Sequence, residues 1–282
     1  MPGLYRSLVT LIDRAGLRRA PQLRRNMKRA IDWLRDPLDH GRAMPFGGVD
    51  VLMPTSWATS GFIGYEPEAM TEFAAWLRTH PDAIVADIGC SVAVYSLLAL
   101  TASPRTNVLA FDSDRISLKT SLDFCRFGDL TRIQFVHGYL LDRHESGRTL
   151  AQAAAATATA LTAADIPVGI EHIRYLGLDK PPPESTIPRH SFDGLYLPAI
   201  PPGRPLVLKI DVEGAELIVL RGSAETLRTR RPVLLLSVHP QFLPNFQQTA
   251  DDVAAFLRQH RYQWRVLSTD HEEHWWCEPS AA

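Results

Sequence analysis

Ile84-Val85-Ala86-Asp87-Ile88-Gly89-Cys90-Ser91-Val92-Ala93 is a short apolar run that ends on a carboxylate and a glycine. Helical spacing through Tyr95, Leu98 and Leu100 follows it, so the segment reads as a buried strand turning into a helix. A glycine at that turn permits close backbone approach, and the helix start presents free N–H groups. The pattern then repeats. Asn107-Val108-Leu109-Ala110-Phe111-Asp112 is a second strand ending on a carboxylate, before a helix over Ile116 to Phe127. Ile133 to His137 is a third strand, Leu206 to Asp211 a fourth, and Val233 to His239 a fifth, closed by Pro240. A helix from Asp251 to His260 precedes a sixth strand at Tyr262 to Leu267, and His274 to Cys277 supplies the last. Short strands alternating with longer helices predict βαβ units, an α/β fold and a mostly parallel sheet, with ligands at the carboxyl ends of its strands.

The chain has 282 residues, enough for one large domain or two small ones. Hydrophobic residues at 45% and charged residues at 22% exclude a disordered or fibrous chain. A net charge of −1 excludes a protein that holds nucleic acid by bulk charge. No run approaches the ~20 apolar residues of a membrane span, and the first residues do not resemble a secretory leader. Cys90, Cys125 and Cys277 are scattered, which suggests a reducing compartment. The expectation is a soluble, cytoplasmic protein.

Charge is unevenly placed. Arg6, Arg14, Arg18, Arg19, Arg24, Arg25, Lys28, Arg29 and Arg35 face only Asp13, Asp32 and Asp36 within residues 1–36. Apolar residues recur there at helical intervals, which predicts amphipathic helices in a cap spanning residues 1–60, ahead of a main domain over 61–282. The basic face is either a solvated surface or a contact for anionic lipid, a phosphorylated substrate or an acidic partner. Turn residues from Pro37 to Gly48 lead to a short strand at Val49 to Met53. Between Tyr139 and Pro205 the strand–helix rhythm stops. An Ala-rich helix over Ala151 to Ala164 and Pro181-Pro182-Pro183 mark an insertion at about 142–190, read either as a lid or substrate platform or as a surface loop without a role.

The single glycine of Asp87-Ile88-Gly89 departs from the Gly-x-Gly-x-x-Gly that a diphosphate requires. An acid two positions earlier suits a cationic ligand, such as the amino acid end of a sulfonium cofactor. Asp112, closing the second strand, can accept hydrogen bonds from the 2′ and 3′ hydroxyls of a ribose, or else cap the helix that follows, as Asp114 also can. Leu208-Lys209-Ile210-Asp211-Val212-Glu213-Gly214-Ala215-Glu216 then gathers three carboxylates beside one lysine. Such acids repel one another unless a cation or a reacting proton compensates, and that cation can be a sulfonium, a metal or Lys209 itself.

The segment Lys209 to Gly222, followed by Arg231-Pro232 and the strand to His239, resembles the signature of the FkbM-type family of S-adenosylmethionine-dependent methyltransferases. Asp87 to Ser96 and Phe111-Asp112 are similar to its upstream motifs in order and spacing, and Thr269 to His274 to its tail, so the likeness covers about residues 60 to 278. It implies a Rossmann-like class I methyltransferase sheet of seven strands, the last antiparallel, with an N-terminal helical extension and an insertion before the fourth strand. It also implies S-adenosyl-L-methionine as cofactor and methyl transfer to a hydroxyl oxygen. By the same resemblance Asp87 and Gly89 line the methionine end, Asp112 holds the ribose, and Asp211 and Glu213 face the reacting end. Cys90, Ser91, Tyr95 and Ser113 belong to the same cofactor-contacting set.

Two departures stand out: Ala93 and Ser91 occupy positions where the family usually has glycine and often asparagine, and the fifth strand ends in His239 where many relatives carry glutamate. A hydroxyl acceptor must lose its proton, so His239 or Asp211 is the expected base, with Glu213 orienting substrate or cofactor. A divalent metal held by Asp211, Glu213 and a histidine is the less favoured arrangement. Tyr65 and Glu66 are placed either to close over the cofactor or to cap a helix. His271-Glu272-Glu273-His274 lacks the spacing of a zinc-protease helix and enters a strand, and Trp275 and Trp276 read as packing residues. The expected acceptor is a sugar, glycan or small natural product, with no nucleic acid partner. The alternatives are a nicotinamide-dependent oxidoreductase, against which the single glycine argues, and a non-catalytic protein that kept the fold and lost the cofactor.

Overall fold

Val85, Val108, Val207 and Leu235 belong to one buried cluster, while Ala86, Leu109, Leu208 and Leu234 belong to another. The two sets are offset by one residue along each strand, so they occupy opposite faces of a sheet buried on both sides. In the computed structural model the described residues are 39–58, 62, 64–163, 166 and 187–280. The chain divides into two units, Met1–Arg42 and Ala43–Ala282. Only residues 39–42 of the first are described, and there the Gly41 amide donates to Asp39 Oδ1 at 2.9 Å. The amphipathic helices expected within residues 1–36, and Pro181-Pro182-Pro183, lie outside the described residues.

The larger unit begins with a hairpin, β1 (Arg42–Phe46) and β2 (Val49–Met53), then α1 (Thr55–Ala58) and α2 (Pro67–Thr79). Phe46, Val51 and Met53 join the main core, so the hairpin belongs with the sheet and not with an N-terminal cap reaching residue 60. The repeating units are β3 (Ile84–Ile88), α3 (Val94–Ala102), β4 (Asn107–Asp112), α4 (Arg115–Phe127) and β5 (Ile133–His137). Two short strands, β6 (Tyr139–Leu140) and β7 (Arg189–His190), pair in parallel and flank α5 (Leu150–Leu161); α6 (Phe192–Leu195) follows. The second half is β8 (Leu206–Ile210), α7 (Glu216–Arg221), α8 (Ala224–Thr229), β9 (Val233–Val238), α9 (Ala250–Gln259), β10 (Tyr262–Thr269) and β11 (Glu273–Pro279).

The central sheet has seven strands in the order β10-β11-β9-β8-β3-β4-β5. All neighbours from β9 to β5 are parallel, whereas β11 is antiparallel to both β9 and β10. This is the Rossmann-like class I methyltransferase sheet, its last strand reversed and slotted inside the edge. The order reverses between β8 and β4, on either side of β3. That switch point opens the carboxyl edge to a ligand. The Ala-rich helix α5 packs on β5, where Thr157 Oγ1 accepts from the His137 amide at 2.9 Å, and Leu150 and Ala153 enter the second core.

One backbone contact sets the switch point. The Asp211 amide donates to the Ile88 carbonyl at 2.9 Å, and a Cβ on Gly89 (φ 76°) would lie 1.7 Å from the Asp211 carbonyl oxygen. The close approach read from the sequence is therefore made to the chain's own β8. Gly89→Ala should lower stability by about 3 kcal/mol or more, combining left-handed strain with backbone overlap. Gly48→Ala should cost only the ~1–2 kcal/mol of the left-handed conformation, because nothing lies within 4 Å of its Cβ position at φ 77°. Urea unfolding midpoints of the two variants check this, and equal losses would reject it.

Candidate active site

Along one face of the sheet the side chains change from apolar to charged toward the carboxyl edge. Val85 precedes Asp87, Ala110 precedes Asp112, Val207 precedes Lys209 and Asp211, and Leu235 precedes Ser237 and His239. Period-two alternation thus delivers all of these groups to one side. Asp87 is 2% exposed and turned toward α3, its Oδ2 accepting from the Ser96 amide at 3.1 Å and the Ser96 hydroxyl at 2.5 Å. Through these bonds it anchors the helix start. Burial raises its carboxyl to about 6, despite the Ser96 hydrogen bonds and the Lys209 charge.

Asp112 is half-buried at the tip of β4. Its Oδ2 accepts from the Ser91 amide at 2.8 Å and its Oδ1 from the Asp114 amide at 2.7 Å. Burial lifts it to about 7, against these two backbone bonds. Asp114, not Asp112, caps α4, accepting from the Ile116 and Ser117 amides at 3.1 Å. The turn between β3 and α3 is bound to the β4 tip, because the Gly89 and Cys90 amides both donate to the Phe111 carbonyl. Ser91 and Ala93 adopt φ 47° and 58° within it. The Ala93 methyl is fully buried in the core, so it does not obstruct the carboxyl edge. Cys90 also faces inward, and burial pushes its thiol up. The Ser113 carbonyl faces His137 Nε2 at 3.0 Å.

On the other side of β3 lies a buried polar cluster. Lys209, 2% exposed, donates to Asp211 Oδ2 and Ser237 Oγ, each at 3.0 Å, and lies 4.9 Å over the Tyr95 ring. Burial acts to lower its ammonium, but Asp211, Glu66 and Glu272 outweigh this and raise it. Burial likewise acts to raise Asp211, while Lys209 and His239 hold it below the usual carboxylate range. His239 is 3% exposed with both ring nitrogens engaged: Nδ1 with Glu216 Oε1 at 2.7 Å, and Nε2 with Glu272 Oε2, with Asp211 Oδ1 at 3.6 Å. Against burial, the bonds to Glu216 and Glu272 lift the imidazole to about 10. With both nitrogens turned to carboxylates of the cluster, this geometry lends the expectation of His239 as base no support.

Glu213 stands apart. It sits just past β8 in a left-handed turn (φ 48°), half-buried, and burial with the Asp211 charge raises its carboxyl. Glu66 occupies the N-cap position of α2 at φ 39° but makes no capping bond. Its carboxylate accepts instead from the Tyr95 hydroxyl at 2.6 Å, so both residues point into the interior rather than over the carboxyl edge. Burial, with the Glu66 charge and hydrogen bond, holds the Tyr95 phenol well above its ordinary value.

Glu272 and His274 were not expected in the site. They enter because β11 pairs antiparallel with β9 in the register His274↔Ser237, which sets Glu272 beside His239. The alternation Glu272, His274, Trp276 was the available signal. Trp276 and Trp275 are buried on opposite faces as packing residues. The groove lined by Arg228, Arg231, Gln259, His260, Arg261 and Ser280 lies at the amino ends of the strands, away from this cluster.

Because the Asp87 carboxyl binds a proton more readily folded than unfolded, its ionisation opposes folding. That penalty is absent below pH 3.8 and grows as pH rises to about 6. Asp87→Asn keeps an acceptor for Ser96 and removes the charge. Its melting temperature relative to the parent chain should therefore climb across that window, by the equivalent of ~3 kcal/mol at most. A flat or falling difference in thermal melts would refute the assignment.

Residues 119–264 match the family model described as the methyltransferase FkbM domain. A comparison with curated proteins finds no match. Among solved structures, precorrin-6y C5,15-methyltransferase from Geobacter metallireducens GS-15 is 12% identical at TM-score 0.46, covering 79% of this chain and 92% of that one. Methyltransferase FkbM from Methylobacillus flagellatus KT is 17% identical at TM-score 0.45, covering 69% of this chain and 43% of that one. A human methyltransferase 10 domain containing protein is 12% identical at TM-score 0.43, covering 76% and 83%. The matched stretch includes Asp211, Glu213, Glu216 and His239 and leaves Asp112, Glu272 and His274 outside it. The chain belongs to the FkbM methyltransferase domain family.

Proposed function

We propose that this chain is an S-adenosylmethionine-dependent O-methyltransferase acting on a hydroxyl of a glycan, sugar or small natural product. The observation that carries the reading is the placement of Asp112. A half-exposed carboxylate stands at the β4 tip, its oxygens fixed by the Ser91 and Asp114 amides, on the same sheet face as Asp211. Each oxygen keeps a lone pair for a ribose hydroxyl. The chemistry of the edge fits the cofactor: an acceptor for a diol on one side of β3, a surplus of carboxylates for a sulfonium on the other, and the Ala93 methyl withdrawn into the core. When bound, S-adenosylmethionine supplies an activated methyl group.

The chain's own contribution is alignment and proton handling. Lys209 fixes Asp211 by a 3.0 Å hydrogen bond, so its charge stays in place at the edge. Glu213 is the group available to take the acceptor's proton, since it is half-exposed and forms no ion pair among the described residues, while Asp211 and His239 are already engaged. The roles first expected are thus exchanged, with Glu213 as base and Asp211 as orienting charge.

Two measurements check the reading. S-adenosylhomocysteine should raise the melting temperature while NADH should not, and Asp112→Ala should weaken S-adenosylhomocysteine binding at least tenfold, as expected for a charged hydrogen bond of ~1.5–3 kcal/mol. Unchanged affinity by calorimetry would reject the ribose assignment. Glu213→Gln should slow methyl transfer by about a hundredfold or more while leaving S-adenosylhomocysteine affinity within about threefold. A screen of glycans and natural products with labelled cofactor identifies the acceptor for that assay, and full activity of the variant would exclude Glu213 as base.

A further inference from the structure

We propose that Asp211, His239 and Glu272 form a binding site for a divalent first-row transition-metal ion, with Glu216 positioning the histidine. One ligand atom from each of the three lies within 4.8 Å of the others. The strands explain why. Asp211 and His239 are the first residues beyond adjacent parallel strands, and Glu272 immediately precedes the antiparallel strand beside them. His239 is oriented for ligation. Glu216 Oε1, itself held at 2.8 Å by the Gly214 amide, takes Nδ1 at 2.7 Å and turns Nε2 toward the two carboxylates. A carboxylate behind an imidazole whose far nitrogen faces other acids is the outer-shell arrangement of metal-bound histidines.

Two further observations point to a cation here. His274, fully buried, has Nε2 without a hydrogen-bond partner and only 3.4 Å from Glu272 Oε1, aimed into the same cluster. Glu66, Glu272 and His274 themselves form a second set with metal-ligand spacing that shares Glu272, so a fourth donor is at hand. The charges also fail to balance. Among the described residues Glu66, Asp211, Glu216 and Glu272 share Lys209 as their permanent cation, beside His239 and His274, in a cluster where most members are under 6% exposed. Buried carboxylates without counter-charge are costly, and a doubly charged ion offsets most of the deficit. Imidazole nitrogen mixed with carboxylate oxygen favours Mn2+ or Zn2+ over Mg2+ or Ca2+. Asp211 is half-buried and opens the site toward the carboxyl edge, where a water or an acceptor hydroxyl can complete the coordination.

The inference depends on neither the cofactor nor the acceptor, and its test uses neither. The full chain, stripped with a chelator and dialysed, is titrated with Mn2+ followed by electron paramagnetic resonance, and with Zn2+ by equilibrium dialysis. One ion per chain should bind with a dissociation constant of about 10 µM or tighter, and the bound Mn2+ should show hyperfine coupling to an imidazole nitrogen. His239→Gln and Glu272→Gln should each weaken binding by about a hundredfold or more. Glu216→Ala should weaken it about tenfold to a hundredfold, with Glu216→Gln restoring most of the loss because its carbonyl still accepts from Nδ1. The double variant Asp270→Asn with His271→Gln, which disables the exposed neighbouring set, should bind as the parent chain does. Absence of binding to the unaltered chain, or bound Mn2+ without nitrogen coupling, would overturn the site even if a variant failed to fold. So would binding that survives in His239→Gln and Glu272→Gln, or that is lost in the double variant.

Discussion

The carbonyl of Asp211 occupies the space a side chain on residue 89 would need, and the Asp211 amide is bonded to the Ile88 carbonyl. That contact joins two neighbouring strands at the point where the order of the sheet reverses. On one side it holds the turn that Asp112 grips through the Ser91 amide. On the other it fixes where β8 stops, and hence where Asp211 and Glu213 leave the strand. Both halves of the site are therefore referenced to one backbone junction. A displacement there would move Asp112 and the acidic corner relative to each other, with no change at either set of side chains.

The second determinant is the concentration of charge beneath the carboxyl edge. Lys209 and Glu216 are essentially buried, as are Glu272, His239 and His274. Desolvating these groups is expensive, and their mutual attraction repays it only when geometry and hydrogen bonding are good. Lys209, Ser237, Asp211 and the Glu216–His239 pair satisfy that condition. Glu216 Oε2 and His274 Nε2 do not, since each lacks a hydrogen-bond partner.

The α/β architecture was legible in the sequence because fully buried strands are continuous apolar runs bounded by turns. Ile84–Ile88, Asn107–Asp112 and Ile133–His137 fall where the pattern puts them. The hairpin from Arg42 to Met53 was only half anticipated, because β1 contains Arg42 and Pro45 and does not look like a strand until its pairing with β2 is seen. Within the site, Asp112, Asp211 and Glu213 were readable from their places after strands. For Asp87 the sequence shows which face the side chain takes but not that a serine nine residues later shares its carboxylate. Glu272 and His274 were read only as part of a tail motif and a strand entrance, for a related reason. Their place beside His239 and Ser237 comes from an antiparallel register across a chain reversal, and the period-two alternation shows a shared face but not which strand it meets.

Placing β11 between β9 and β10 has a consequence for the order in which the molecule is made. A nascent chain that has emerged as far as residue 261 holds β9 with one hydrogen-bonding edge unpaired, and only after residues 262–279 have followed can the last strand thread back inside. Late closure of this type exposes an adhesive strand to the crowded surroundings of the ribosome for as long as elongation takes. The acidic pocket, which draws Glu66 from near one end of that sequence and Glu272 from near the other, is thus among the final features to assemble.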